Sequence, residues 1–260
     1  MTQKNIHETA LVSPGARIGD NVQIGPYTIV EENVIIDNGC TIGPHALIGF
    51  GTRLGKNCKV FKGASLGTVP QDLKFGGEDT ELIIGDNTVV REFCTLNRGT
   101  NALGKTTIGK DCLLMAYCHV AHDCVIGENV IISNNLAMAG HVTVGNYVTI
   151  GGVVAVHQFC RIGDYAFIGA TSYLNMDVVP FALCAGNPPS IRSINKIGLE
   201  RRGFDVERQR KVKRAYRMLF KDHPFINDAI QDLTDSFPGD DDIRQLVEFA
   251  RDSSRGLVRM

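Results

Sequence analysis

Four of the seven histidines, His119, His122, His141 and His157, fall within one stretch of the 260-residue chain, and Asp123 directly follows the second of them. Imidazole changes charge near neutral pH, so it suits two chemistries: ligation of a metal such as zinc, or proton transfer with a hydroxyl. A lone histidine is more often structural. Several together, with Asp123 beside one of them and Gly140 nearby, indicate a site. Asp72, Lys74, Gln158, Asn195 and Arg201 are polar groups suited to a phosphorylated sugar and excessive for a small neutral molecule. That balance favours base catalysis over metal chemistry.

Residues so far apart need a scaffold that makes them neighbours, and a repeat supplies it. An aliphatic residue stands at every sixth position from Ile6, Val12, Ile18 and Ile24 to Leu66, and again in the same phase from Ile84 through Val120, Ile126, Ile132 and Met138 to Leu174. A period of six is neither the 3.6 of a helix nor the 2 of an ordinary strand. Short strands joined by tight corners fit it: three hexapeptides make one triangular coil of about 18 residues, and coils stack at about 4.8 Å. A step of 18 leads from His122 to Gly140 to Gln158, so these three stack on one face, with His141 and His157 one residue to either side. Glycine often follows the aliphatic, as at Gly19, Gly25 and Gly127, where it reads as a corner residue of strained backbone.

The fold class is therefore mainly β, a parallel β-helix of hexapeptide repeats over residues 1–187, with excursion loops near 67–80 and 98–105 where the pattern lapses. Gly186-Asn187-Pro188-Pro189 breaks the repeat. Beyond it, apolar spacings of three and four at Ile226, Ala229, Ile230, Leu233 and at Ile243, Leu246, Val247 predict helices, giving a small α-helical C-terminal domain over 188–260.

The eight cysteines, Cys40 to Cys184, share one phase of the repeat, in a slot that points inward and takes small residues. With no CxxC pair, they read as reduced core residues rather than a disulfide framework or a zinc site. A net charge of -1 gives no sign of nucleic-acid binding. The polar N-terminus and the lack of a long apolar run predict no membrane span and a soluble, cytoplasmic protein. The run from Arg192 to Arg217 holds ten Lys or Arg against three acids, either a solvated helix face or a dock for an acidic partner.

The strings LLMAYCHVAHDCVIG (113–127), NNLAMAGHVTVG (134–145), IGGVVAVHQFC (150–160), VPQDLK (69–74) and NKIGLERRGF (195–204) together resemble the UDP-N-acetylglucosamine O-acyltransferases that begin lipid A synthesis. The sister N-acyltransferases carry a similar HxxHD string behind an extra uridine-binding domain, for which a repeat starting at Ile6 leaves no room. The resemblance implies that the coil is left-handed. It also implies that His122 is a general base oriented by Asp123, acting on the sugar 3-hydroxyl, and that the Gly140 N–H stabilises the oxyanion. His119, His141, His157 and Gln158 would line the groove. Asp72 and Lys74 would contact sugar and phosphate, and Asn195 and Arg201 would hold the nucleotide. Ala170 matches the position that sets acyl length. The implied donor is a (R)-3-hydroxyacyl chain on acyl carrier protein, docked on the basic run. A homotrimer with sites between subunits is implied, with no metal or redox cofactor. Ile197 and Asn97 depart from the Glu and His of many relatives. A zinc enzyme of the β-helical carbonic anhydrase type, a hexapeptide acetyltransferase using acetyl-CoA and a non-catalytic scaffold are the alternatives.

Overall fold

A computed structural model describes residues 5–260. Among them, 28 short strands form three sheets, of 11, 9 and 8 strands, that make the three walls of a triangular prism. Most strands are two residues long. In each the second residue points inward, so from Ile24 to Leu174 every aliphatic of the six-residue series is buried. Ile6, in the first of the described coils, is 38% exposed. A slip of one residue would turn the inward set out, at about 1.5–3 kcal/mol for each large aliphatic lost from the core. The cysteine slot is inward as well: all eight thiols are free and buried.

Successive coils pair in parallel with an offset of 18, as in His119 with Ala137 and Ala137 with Ala155. The two excursions lengthen single coils. Ser65 pairs with Thr95, an offset of 30, and Thr95 with His119, an offset of 24. Both insertions are multiples of six, which is why the hexapeptide phase survives them.

The glycines after the aliphatics do a different job from the one their position suggests. Gly19, Gly25 and Gly127 do not have positive φ. A Cβ on any of them would stand within 3.0 Å of backbone in the next coil, at Asn38, Pro44 and Gly145, so close stacking is what requires glycine there. The left-handed corner lies two residues later. Asn21, Tyr27, Asn33, Asp123, His141 and Phe159 are among the residues holding φ near +60° in that phase.

Past residue 187 the sheet continues. Ser190–Ile194 turns back antiparallel on Ala182–Ala185. Helices then follow at Lys196–Arg201 (α1), Val206–Arg217 (α2), Ile226–Ser236 (α3) and Asp241–Arg251 (α4), with a π-helical stretch at Met218–Asp222. They dock on the last coils: Tyr216 is buried and donates to the Pro180 carbonyl, Gln245 donates to Asp164 (2.7 Å), and the Arg161 guanidinium lies 4.3 Å from the Phe249 ring. Among the described residues no helix is long and apolar enough to cross a membrane.

Candidate active site

The corners that follow the nine-stranded sheet carry the histidine column. His122 and Asp123 form one corner, Gly140 and His141 the next, Gln158 and Phe159 the third. Backbone bonds lock the stack, from His141 N–H to the His122 carbonyl (3.1 Å) and from Phe159 N–H to the Gly140 carbonyl (3.2 Å). The His122 and His141 rings meet edge to face at 5.0 Å, and His141 stacks on Phe159 at 4.5 Å. The expected column is therefore present, and Phe159 is a member that sequence reasoning missed.

Asp123 organises this corner. The residue is 1% exposed, and its carboxylate faces four donors. Thr100 N–H (3.0 Å) and Leu103 N–H (3.1 Å) reach Oδ1, and the Thr100 hydroxyl (2.6 Å) and His122 Nδ1 (2.7 Å) reach Oδ2. Burial alone would push this carboxyl up. The Thr100 and His122 side chains, with the Thr100 and Leu103 amides, outweigh it and hold the group below the ordinary carboxylate range. An ionised carboxylate accepts only, so the proton of neutral His122 sits on Nδ1 and Nε2 keeps a free lone pair. That nitrogen faces the first excursion loop, where Asp72 Oδ2 lies 3.9 Å away, beyond hydrogen-bond reach.

His122, Asp123 and His141 place one ligand atom each within 4.8 Å of one another, a spacing that a cation could bridge. The four hydrogen bonds on Asp123 satisfy its oxygens without one. The trio therefore reads as a hydrogen-bonded pair with an imidazole set edge-on beside it.

The remaining residues divide by corner. His119 points from its sheet, with Nδ1 2.7 Å from the Thr95 hydroxyl, and burial pushes its imidazole below the usual value. His157 Nδ1 lies 3.2 Å from the Gln158 carbonyl, and the Gln158 side chain is exposed. The Lys74 backbone N–H donates to Asp72 (3.0 Å), while its side chain is exposed. Beside the column a cavity of about 490 Å³ opens, with Ser65, Thr68, Gln71, Thr95, Asn97 and Arg98 in its wall. Asn97 is a tie at its base, donating to the Thr68 hydroxyl (2.8 Å) and the Val69 carbonyl (3.1 Å).

Asn195 and Arg201 are elsewhere in the chain. Asn195 caps α1, accepting from Gly198 N–H (3.2 Å) and donating to the Tyr165 carbonyl (2.8 Å), and Tyr165 belongs to a different corner from His122. Arg201 and Ile197 are exposed on α1. Ala170 lies on the third corner of the prism, in the coil of Tyr173, three coils above His119 and so a rise of about 14 Å. In the basic run, Arg208 and Lys211 pair with Asp242 and Asp240, Arg210 with Glu207 and Arg217 with Asp222. Lys196 and Lys213 stay exposed.

Comparison with known proteins agrees with this fold. Residues 177–258 match the family described as UDP-N-acetylglucosamine O-acyltransferase, domain 2, and residues 15–50 and 105–137 match the bacterial transferase hexapeptide repeat. The chain is 45% identical over 255 residues to an acyl-[acyl-carrier-protein]--UDP-N-acetylglucosamine O-acyltransferase of Halorhodospira halophila, covering 98% of this chain and 99% of the relative. It is 48% identical to the protein of that name from Xanthomonas oryzae, covering 98% and 97%. Among solved structures, LpxA of Acinetobacter baumannii superposes with a TM-score of 0.95 at 39% identity, covering 98% of this chain and 99% of that one. The UDP-N-acetylglucosamine acyltransferase of Francisella novicida gives 0.95 at 33% identity, covering 98% and 94%.

Proposed function

The chain belongs to the UDP-N-acetylglucosamine O-acyltransferases of lipid A biosynthesis, which move an acyl group from acyl carrier protein to UDP-N-acetylglucosamine; from this premise we propose that His122 is its general base. The observation that carries this assignment is the Asp123 carboxylate, which is held ionised by Thr100 and Leu103 and in turn holds His122 with Nε2 toward the Asp72 side of the cleft.

In this reading Nε2 removes the proton from the 3-hydroxyl of UDP-N-acetylglucosamine as that oxygen attacks the carbonyl of a (R)-3-hydroxyacyl thioester. A C–O bond forms, and negative charge develops on the carbonyl oxygen. The Gly140 N–H, which carries no hydrogen bond among the described residues, stabilises that charge. The C–S bond then breaks and the imidazolium returns the proton to the thiolate of the carrier arm, so no water and no cofactor enter the balance. General-base catalysis of this type is worth about 10²- to 10⁴-fold. Asp72 and Lys74 contact the sugar and its phosphates. His119, His141, His157 and Gln158 line the groove, and Ala170, three coils up, limits the acyl chain.

The nucleotide end falls to Asn195 and Arg201. Because they sit by another corner of the prism, a ligand touching both them and His122 needs a second copy of the chain, which supports a homotrimer with sites between subunits. The Asn195 amide is already engaged within its own chain, so Arg201 is the stronger nucleotide contact of the two. We place the enzyme in the cytoplasm, a compartment that keeps eight unpaired cysteines reduced. The exposed cations of 192–217, Lys196 and Lys213 among them, suit an acidic carrier protein.

Replacement of His122 by Ala tests the assignment. Product formation from acyl carrier protein thioester and UDP-N-acetylglucosamine is lost while the oligomer and its melting temperature persist; turnover near the wild-type rate removes His122 as the base.

A further inference from the structure

We propose that Thr100, on the second excursion loop, is a positioning residue for acyl transfer, aiming the carboxylate of Asp123 so that His122 is held in its reactive orientation. The inference rests on the reading of His122 as the base.

Thr100 is 8% exposed and touches Asp123 twice, through its N–H at 3.0 Å and its hydroxyl at 2.6 Å. The hydroxyl is itself oriented: Ala102 N–H donates to the Thr100 oxygen at 3.2 Å, which leaves the Thr100 proton directed at Asp123. The loop around it is anchored at both ends. Gly99 N–H donates to the Glu81 carbonyl (3.1 Å), the Thr80 hydroxyl donates to the Gly99 carbonyl (2.6 Å), and Gly104 N–H closes back on the Thr100 carbonyl (2.7 Å). Gly104 has φ +71°, a conformation that lets the chain turn within five residues. Three of the four donors to Asp123 therefore come from a six-residue insertion into one coil, and the fourth is the base itself. A surface insertion of no consequence would have no reason to deliver its N–H groups and hydroxyl to a single buried carboxylate one coil away.

The Thr100 hydroxyl and His122 Nδ1 share the same oxygen, Oδ2. Removing the hydroxyl has two effects. Asp123 gains freedom to rotate, so the imidazole it holds is less well aligned, and alignment within a fraction of an ångström governs proton transfer. The carboxylate also loses one of the donors that hold it below the ordinary carboxylate range, so Asp123 takes up a proton at higher pH than in wild type. The other titratable groups facing the pair are Asp72 at 3.9 Å from His122 Nε2, His141 at 4.0 Å from Asp123 Oδ2, and the adjoining Cys124 thiol, buried and pushed up to about 12. None of them is altered by the change.

The test compares T100V, T100S and T100A with wild type in steady-state assays against both substrates across pH, in wild-type and D123N backgrounds. We expect T100V to lower kcat about 10- to 100-fold with KM for both substrates within about twofold, and the low-pH limb of the kcat profile to move upward. T100S keeps the hydroxyl and should stay within about threefold of wild type. In the D123N background T100V should add little, since residues acting as a unit are not additive. T100A is read in the same way where T100V does not fold. Wild-type kcat in T100V overturns the proposal. So does an equal loss in T100V and T100S accompanied by a lower melting temperature and an unmoved pH profile, or a full additive loss on D123N. An active H122A variant would remove the general-base reading itself, whereas an inactive H122A beside a normal T100V removes only Thr100.

Discussion

Alanine at Gly140 separates the chemistry of the column from its stability. A Cβ there would stand 2.7 Å from His122 Cε1 and 2.8 Å from Nε2, while ordinary contact begins at 3.4 Å, so the ring must retreat by about 0.7 Å (3.4 less 2.7). The ring is pinned on its other side by the 2.7 Å bond to Asp123, and that retreat breaks the alignment of Nε2 with the sugar hydroxyl. A displacement near 1 Å costs about 10²-fold in rate, or about 2.7 kcal/mol at 1.36 kcal/mol per decade. The clash is with a side chain rather than with backbone, so the stack of coils is not spread and the fold loses little. Gly127 is the control. Its Cβ would meet the Gly145 carbonyl carbon at 2.8 Å and Asn146 N at 2.9 Å, backbone that cannot yield without spreading two coils. Overpacking of that kind costs about 1–3 kcal/mol, which lowers the melting temperature of a chain this size by several degrees. G140A should therefore be slow and stable, and G127A unstable with normal kcat per folded molecule. Initial rates with labelled acceptor and thermal melts by circular dichroism read both. A G140A enzyme with wild-type kcat, or one that melts as low as G127A, refutes the placement of His122 against this glycine.

The acidic-partner reading predicts that KM for the acyl carrier protein rises with ionic strength, and that K196E with K213E raises it further while KM for the nucleotide sugar stays put; salt-independent KM in steady-state assays counts against it. The Asp242 carboxyl is buried, yet the Arg208 guanidinium and Lys211 hold it below the ordinary carboxylate range. A carboxyl whose folded value is depressed stabilises fully above its unfolded pKa of about 3.9 and loses that contribution as the pH falls through the folded value. R208M should therefore cost about 1–3 kcal/mol at pH 7 in urea unfolding, and its gap from wild type should narrow below about pH 4. Burial pushes the Cys160 thiol up to about 11 and Cys184 up to about 12. Both should resist maleimide in the native protein at pH 7.5 and react once it is unfolded in urea, as followed by mass spectrometry.

The β-helix was legible because one physical constraint, an inward aliphatic at every strand, repeats at fixed spacing, and because insertions of 12 and 6 residues leave that spacing in phase. The cysteine slot was legible for the same reason. What the glycines do was not. Gly19 and Gly127 mark the close approach of stacked backbones, whereas the left-handed conformation falls to Asn21 and Asn129 two residues on, and a single-chain reading of spacing cannot tell steric room from dihedral freedom.

The site divides in the same way. His122, Gly140 and Gln158 could be stacked by adding 18, since regular coils carry residues upward without offset. Thr100 could not be reached by that arithmetic, because it lies in an insertion whose path the repeat does not determine. A chemical question would have pointed there all the same: a buried Asp123 needs donors. The six residues that swell one coil were the nearest segment able to supply them. Asn195 and Arg201 show the opposite limit. Their chemistry suits a nucleotide, but the prism puts them by a corner that His122 does not share, so the nucleotide contact proposed for them depends on how copies of the chain assemble. That relation belongs to the faces of the prism rather than to any spacing along the chain.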